Sequence, residues 1–136
     1  APGILLCGDT LFACGCGRVF DGTAQQLYRS LQRLARLPAD TQVYCSHEYT
    51  LSNQRFAITA DPDNRELQQR MQRDQALRNA GQPTLPSTLA QEIACNPFLR
   101  CDTAAIRGAV QQHCGKTLPD SEQVFAELRR WKDGFR

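Results

Sequence analysis

Residues 3–12 read GILLCGDTLF, a short apolar run that ends in a glycine and an aspartate. A similar layout returns at residues 42–49, QVYCSHEY, where the apolar run is followed by Ser46 and His47. Apolar runs of four or five residues bounded by turn residues predict short buried strands. Because sites in α/β folds form just past the carboxyl ends of parallel strands, we expect Asp9 and His47 to lie at one rim of a sheet.

The segment between these two runs predicts a crossover helix. Thr23 and Gln26 have the spacing of a capping box, and Leu27, Leu31 and Leu34 follow at helical intervals. A strand, a helix and a second strand in this order form a βαβ-like unit whose two strands run parallel. The first third of the chain is therefore predicted to be α/β.

Beyond His47 the patterns are helical, and no further strand is predicted. Helices are expected at about residues 50–60, 64–80 and 87–93, then from caps at Asp102 and Asp120, with an extended segment at 96–100. The predicted fold is therefore α/β over residues 1–50, followed by an all-α domain over residues 51–136.

Composition narrows the class of protein. The 136 residues are 41% hydrophobic and 22% charged with a net charge of +2, so neither a nucleic acid nor a membrane is predicted as a partner. Seven cysteines, an odd number, argue against a secreted disulfide framework and favour free thiols in the cytoplasm. A heavily apolar strand at residue 4 needs neighbouring strands, so we expect the chain to be the C-terminal part of something larger.

Several residues could carry chemistry, and each has a structural alternative. Asp9 and His47 suit a metal, although an acid after a strand is often a cap and a lone histidine is often structural. A minority alternative is a structural zinc bound by four side chains, Cys14, Cys16, Cys45 and His47.

Two cations on the last predicted helix are a further candidate site. Arg129 and Lys132 stand three residues apart, so they lie on one helical face and could clamp a carboxylate. Their alternative is a solvated face on which Arg129 pairs with Asp133.

A set of short blocks carries a family resemblance that runs in order over nearly the whole chain. The blocks are GDTLF at 8–12, GCGR at 15–18, DGT at 21–23, HEYTLSN at 47–53, NPFLR at 96–100 and RRWKD at 129–133. Together they resemble the hydroxyacylglutathione hydrolases (glyoxalase II) of the metallo-β-lactamase superfamily. The resemblance implies part of an αββα metallo-β-lactamase sandwich followed by a helical, glutathione-binding C-terminal domain.

The resemblance also implies a reaction. The family hydrolyses the thioester S-D-lactoylglutathione to glutathione and D-lactate, a step in methylglyoxal detoxification, at a site with two divalent metal ions. Zinc is the usual metal, and iron or manganese is tolerated. By resemblance, Asp9 is the carboxylate that bridges both metals, His47 is a ligand to the second metal, and both are catalytic.

The remaining roles implied by the resemblance concern the substrate. Arg18, Tyr49, Arg129 and Lys132 would bind the glutathione moiety, and Phe20 stands in the same subsite, where some members have tyrosine. The family's His-x-His-x-Asp-His metal motif is absent from this sequence. We therefore expect that activity requires a missing N-terminal half and that the isolated chain is inactive. The alternatives are a truncated module that binds glutathione or a partner without catalysis, and a small structural-zinc protein.

Overall fold

The computed structural model describes residues 3–18 and 23–135, in which the chain is mixed α/β and mostly helical. The strands are β1 (Ile4–Gly8), β2 (Leu11–Phe12), β3 (Gly15–Cys16), β4 (Gln42–Cys45) and β5 (Ser87–Thr88). The helices are α1 (Ala24–Ala35), α2 (Thr50–Ala60), α3 (Arg65–Asn79), α4 (Leu89–Cys95), α5 (Ala104–Cys114) and α6 (Ser121–Asp133), with a 3₁₀ turn at Pro97–Leu99. None of the helices in these described ranges combines the length and apolar character that a membrane crossing needs.

The predicted strand–helix–strand unit is confirmed. β1 and β4 pair in parallel, with Leu5 opposite Val43. The helix between them, α1, begins with both hydrogen bonds of a capping box, because Thr23 accepts from the Gln26 amide and the Gln26 side chain accepts from the Thr23 amide. The register shifts between Leu6 and Gly8, which is a bulge at the end of β1.

The prediction that β1 is buried is wrong for one of its faces. Leu5 and Cys7 pack toward the core, whereas Ile4 and Leu6 are 64% and 79% exposed. Successive side chains of a strand point to opposite faces, and the helices of the described residues cover one face only. β1 also lies at the end of the sheet order β1-β4-β5, so it is an edge strand in this part of the chain.

The prediction of no further strand beyond His47 is wrong as well, because β5 lies there, and the sequence also did not predict a hairpin before His47. β5 pairs antiparallel with β4, with Ser87 opposite Val43, and β2 and β3 form a small antiparallel hairpin. Each of these three strands has only two residues, too few to show the alternation that marks a strand in a sequence. Tertiary pairing, rather than local propensity, makes them strands.

Three local predictions need correction. The helix expected from Asp102 begins after Thr103, whose hydroxyl accepts from the Ile106 amide, and α4 begins after Thr88. Residues 96–100 are not extended: the Asn96 side chain caps the 3₁₀ turn by accepting from the Phe98 amide. In each case a neighbouring hydroxyl or amide side chain supplies the better cap.

Aromatic side chains join α2, the 3₁₀ turn and α6 in the larger of two hydrophobic clusters, and Leu67 of α3 and Cys95 of α4 belong to the smaller one. Phe98 lies between Phe56 and Phe125, with ring centroids 6.1 and 5.7 Å away. Trp131 and Phe135 of the C-terminal segment each meet Phe56 edge-on at 5.3 Å. The 3₁₀ turn contacts both α6 and β3, and Arg129 of α6 donates to the Cys16 carbonyl of β3.

Candidate functional site

Asp9 and His47 lie together, as predicted for residues that follow two parallel strands. They follow the carboxyl ends of β1 and β4, and Asp9 Oδ1 is 3.4 Å from His47 Nδ1. Ser46 joins them, because its hydroxyl donates to the Asp9 carboxylate and lies 3.0 Å from His47 Nδ1. The Ser46 amide also donates to the Gly8 carbonyl at 3.1 Å, which ties the ends of the two strands. Both side chains remain largely exposed.

This pair has the donor chemistry of a metal site but too few donors for one. A carboxylate and an imidazole both bind zinc, and a catalytic zinc takes about three protein ligands. Among residues 3–18 and 23–135, no group of three or more histidine, cysteine, aspartate and glutamate side chains is placed to hold a metal ion. The described residues therefore fit a metal in donor type and not in donor number.

Aromatic side chains form a wall next to the pair. The His47 ring stacks on Tyr49, with 5.0 Å between centroids and 6° between planes. Phe12 lies 5.2 Å from Tyr49 and 6.3 Å from His47. The stacking fixes the orientation of the imidazole, while Tyr49 stays half-exposed with its hydroxyl available to a ligand.

A cavity of about 450 Å³ brings the predicted residues together. Its lining includes six of them: Asp9, Arg18, His47, Tyr49, Arg129 and Lys132. Phe20, the remaining predicted residue, lies outside the described residues. The cavity also has polar side chains to which the sequence assigned no role, Ser52 and Asn53 in the first turn of α2. The only feature of the sequence that could have indicated a role for Ser52 and Asn53 is that both belong to the HEYTLSN block.

Arg129 binds the protein at each of its nitrogens. It is 4% exposed, and its Nη1 donates to the carbonyls of Cys16 and Gly17 at 2.9 and 3.2 Å. Nε and Nη2 donate to Asp133 at 3.1 and 2.8 Å, which confirms the i,i+4 pair considered from the sequence. The guanidinium thus holds the backbone that precedes Arg18 and contributes positive charge to the lining of the cavity.

Lys132 is the more available cation of α6. Its Nζ lies 5.8 Å from the centre of the Phe56 ring, and its side chain is half-buried. Burial lowers the pKa of Lys132, and the positive charges of Arg129 and Arg18 lower it further. Since Arg18 is exposed, the two residues offer cationic donors that an anionic ligand in the cavity can reach.

The structural-zinc alternative finds no support in the geometry. Cys14, Cys16, Cys45 and His47 do not form a ligand set within the described part of the chain, and all seven cysteines are free. Burial raises the pKa of Cys16 to about 11, against the lowering effect of Arg129, and it raises the pKa of Cys14 and Cys45 too. Cys14 and Cys16 thus pack as small hydrophobic side chains.

Comparison with known proteins identifies the family. The model of the family described as "Hydroxyacylglutathione hydrolase C-terminus" matches residues 48–135. The hydroxyacylglutathione hydrolase of Halorhodospira halophila is 60% identical over 131 residues, which are 96% of this chain and 51% of the relative. Those of Nitrosomonas europaea and Xanthomonas euvesicatoria pv. vesicatoria are 55% and 56% identical, over 97% and 100% of this chain and 50% and 53% of the relatives.

The chain spans about half the length of these curated relatives. The family model that it matches describes a C-terminal part, and the alignments to the relatives cover both the Asp9 region and the cations of α6. The chain therefore belongs to the hydroxyacylglutathione hydrolase family and corresponds to its C-terminal part.

Proposed function

We propose that this chain is the glutathione-binding part of a hydroxyacylglutathione hydrolase (glyoxalase II), which hydrolyses S-D-lactoylglutathione to glutathione and D-lactate. One observation carries the proposal: the Asp9–His47 pair and the cations Arg18 and Lys132 line the same cavity. A thioester of glutathione needs both, a reacting centre beside its acyl group and positive charge for its carboxylates. The relatives' names support the same reaction.

The proposed substrate contacts divide into direct and supporting ones. Glutathione carries two carboxylates, and Arg18, Lys132 and the Tyr49 hydroxyl are donors suited to them. Arg129 supports this set by holding the Cys16 and Gly17 carbonyls, and Phe20 remains proposed for the same subsite. The thiolate of glutathione is a good leaving group, so the reaction needs no strong general acid within this cavity.

We further propose that Asp9 and His47 are two of the ligands of a two-metal centre. Zinc suits a carboxylate–imidazole donor set, and iron or manganese would be accepted. Such metals, when bound, supply an activated water and polarise a carbonyl oxygen. The other ligands would come from a segment equivalent to the half of the relatives that this chain does not cover, so no step is assigned to the described residues alone.

The domain division follows from the same proposal. Residues 1–50 would be the C-terminal part of a metallo-β-lactamase sandwich, and residues 51–136 a helical glutathione-binding domain. The exposed face of β1, formed by Ile4 and Leu6, supports the first part, because a half-sandwich leaves one sheet face uncovered. The free thiols are consistent with a cytoplasmic protein.

A hybrid enzyme tests this function. The half of the Halorhodospira halophila relative that this chain does not cover is fused ahead of residue 1, and thioester hydrolysis is measured with zinc present. We expect S-D-lactoylglutathione turnover by the hybrid, none by the isolated chain, and loss of at least about 100-fold in the hybrid carrying Asp9→Asn. A hybrid that binds zinc and is inactive would refute the proposed reaction.

A non-catalytic glutathione-binding module is the second candidate. It is favoured by the shortage of metal donors among the described residues. The isolated chain is titrated with S-methylglutathione, whose blocked thiol prevents disulfide exchange. Binding that Lys132→Met weakens, together with an inactive hybrid, would establish this second function in place of the first.

A further inference from the structure

We propose that Glu92 is a positioning residue, which holds the pocket loop, residues 12–18, in the conformation that presents Arg18 to the ligand. Glu92 belongs to α4, is 0% exposed and is not among the side chains that line the cavity. Its effect on binding is therefore indirect, and its bond to the Cys14 amide gives it a direct contact with the loop. The identity of the ligand rests on the proposed function, whereas the role of Glu92 in the loop does not.

The carbonyls of the pocket loop are held by side chains from outside the loop. The Asn96 amide donates to the carbonyls of Phe12 and Gly15, at 3.1 and 2.9 Å. The Asn53 amide donates to the carbonyl of Ala13 at 3.2 Å. With the two carbonyls that Arg129 binds, side chains from three separate parts of the helical region fix the course of this backbone.

The Cys14 amide is the donor that Glu92 secures. It donates to Glu92 Oε1 at 2.9 Å, and the same oxygen accepts from the Asn96 amide at 3.2 Å. Cys14 has φ of 60°, a left-handed conformation that non-glycine residues adopt at a cost. Such a conformation persists only where the surroundings impose it, and the Glu92 carboxylate is the group that binds the strained amide.

A buried ion pair sets the position of Glu92 itself. Arg70 Nη2 lies 2.8 Å from Glu92 Oε2, and both side chains are almost completely buried. Arg70 Nε also donates to Asp74 at 3.3 Å, and Asp74 accepts from the Gln54 amide at 2.7 Å. Buried ion pairs add little net stability, because desolvation offsets their attraction. We therefore assign this one to the specification of a single loop conformation.

The loop is closely packed at its two glycines. A Cβ at Gly15 would lie 2.6 Å from the Asn53 amide nitrogen, and one at Gly17 would lie 2.0 Å from the Asp9 carbonyl. The loop thus packs directly against the backbone of Asp9 on one side and leads into Arg18 on the other. A shift of the loop would displace Arg18 relative to Asp9.

The test compares ligand affinity in matched variants of this chain. Trp131, the single tryptophan, is adjacent to Lys132 and reports binding of S-methylglutathione by its fluorescence. We expect Glu92→Gln to weaken binding about tenfold and Glu66→Gln, the same change at an exposed position of α3, to leave it unchanged. In an Arg18→Met background, Glu92→Gln should weaken binding by less than about twofold, because its effect passes through Arg18.

A full effect of Glu92→Gln in the Arg18→Met background would overturn the inference, as would no effect in the wild-type background. If Glu92→Gln does not fold, Arg70→Lys replaces it. Lysine keeps the buried charge and cannot reach Glu92 and Asp74 together, so we expect about threefold weaker binding that Arg18→Met again cancels.

Hydrogen exchange separates this inference from the choice of ligand. Glutamine keeps an oxygen acceptor but loses the ion pair with Arg70 that holds this oxygen at the Cys14 amide. We therefore expect the Cys14 amide to exchange at least about tenfold faster in Glu92→Gln, with no change at the core amide of Leu128. If the wild-type chain does not bind S-methylglutathione, the proposed ligand is wrong and this exchange alone decides the role of Glu92. Unchanged exchange at Cys14 would overturn it.

Discussion

Lys132 is the side chain whose protonation most directly affects the proposed ligand. Burial, and then the charges of Arg129 and Arg18, lower its pKa below the ordinary 10.5. The folded chain therefore holds this proton less tightly than the unfolded chain, so between the lowered pKa and 10.5 the folded state gains stability as pH rises. A ligand carboxylate acts in the opposite direction, because it favours the charged ammonium.

We accordingly predict that binding of S-methylglutathione is lost at alkaline pH earlier than an ordinary lysine would allow. Affinity is measured by calorimetry from about pH 7 to about pH 10 for the wild type and for Lys132→Met. The ligand's own amine titrates in both proteins, so the difference between them isolates Lys132. We expect Lys132→Met to bind about tenfold more weakly at pH 7 and to approach the wild type at high pH. Parallel pH profiles would contradict this.

Contacts set by local geometry could be predicted from the sequence, whereas contacts set by the tertiary fold could not. The meeting of Asp9 and His47 was predictable, because parallel strands end at one edge of a sheet whatever else surrounds them. The contacts of Arg129 were only half predictable. Its Asp133 partner is four residues along the same helix, whereas its Cys16 and Gly17 partners are set by the tertiary fold.

The attachment of α6 to the pocket loop is the tertiary link on which the cavity depends. Arg129 provides it with a planar guanidinium that reaches two loop carbonyls and Asp133 at once. Lysine has one ammonium and cannot make the same set of bonds. We predict that Arg129→Lys lowers the free energy of unfolding by about 2 kcal/mol, because buried carbonyls lose their donors.

Urea denaturation followed by Trp131 fluorescence measures this loss. Arg130→Lys is the matched control, since Arg130 is exposed and its guanidinium contacts Glu127 at 2.6 Å on the helix surface. We expect that control to change stability by less than about 0.5 kcal/mol. Equal losses in the two variants would mean that the loop contacts of Arg129 contribute no measurable stability.

Some secondary-structure elements are determined by their own sequence, and others form only through tertiary contacts. Helices with a cap and a periodic apolar face, such as α1 and α6, were predictable because both signals lie within the segment. β5 was not, since two residues become a strand only by pairing with β4. The exposed face of β1 was also missed, because the sequence of a strand does not show which neighbours are present.

At the scale of the whole molecule, the exposed face of β1 is the feature that the described residues leave unexplained. Ile4 and Leu6 project from an edge strand, and Tyr44 of β4 is exposed beside Leu6 in the paired register. Apolar edges of this kind bind other chains or promote aggregation. Since the relatives are about twice as long, we expect the occupant to be a segment equivalent to their uncovered half.

Association in trans tests this expectation. The uncovered half of the Halorhodospira halophila relative is expressed separately and mixed with this chain, and complex formation is followed by sedimentation. We predict that Leu6→Lys weakens the complex at least about tenfold, because it places a charge in an apolar interface. Leu37→Lys is the control, since Leu37 is 39% exposed and follows α1, outside the strands of the sheet. If both lysines weaken the complex equally, the β1 face is not the docking surface. If only Leu6→Lys does, the uncovered half of the relative binds this chain at the exposed face of β1.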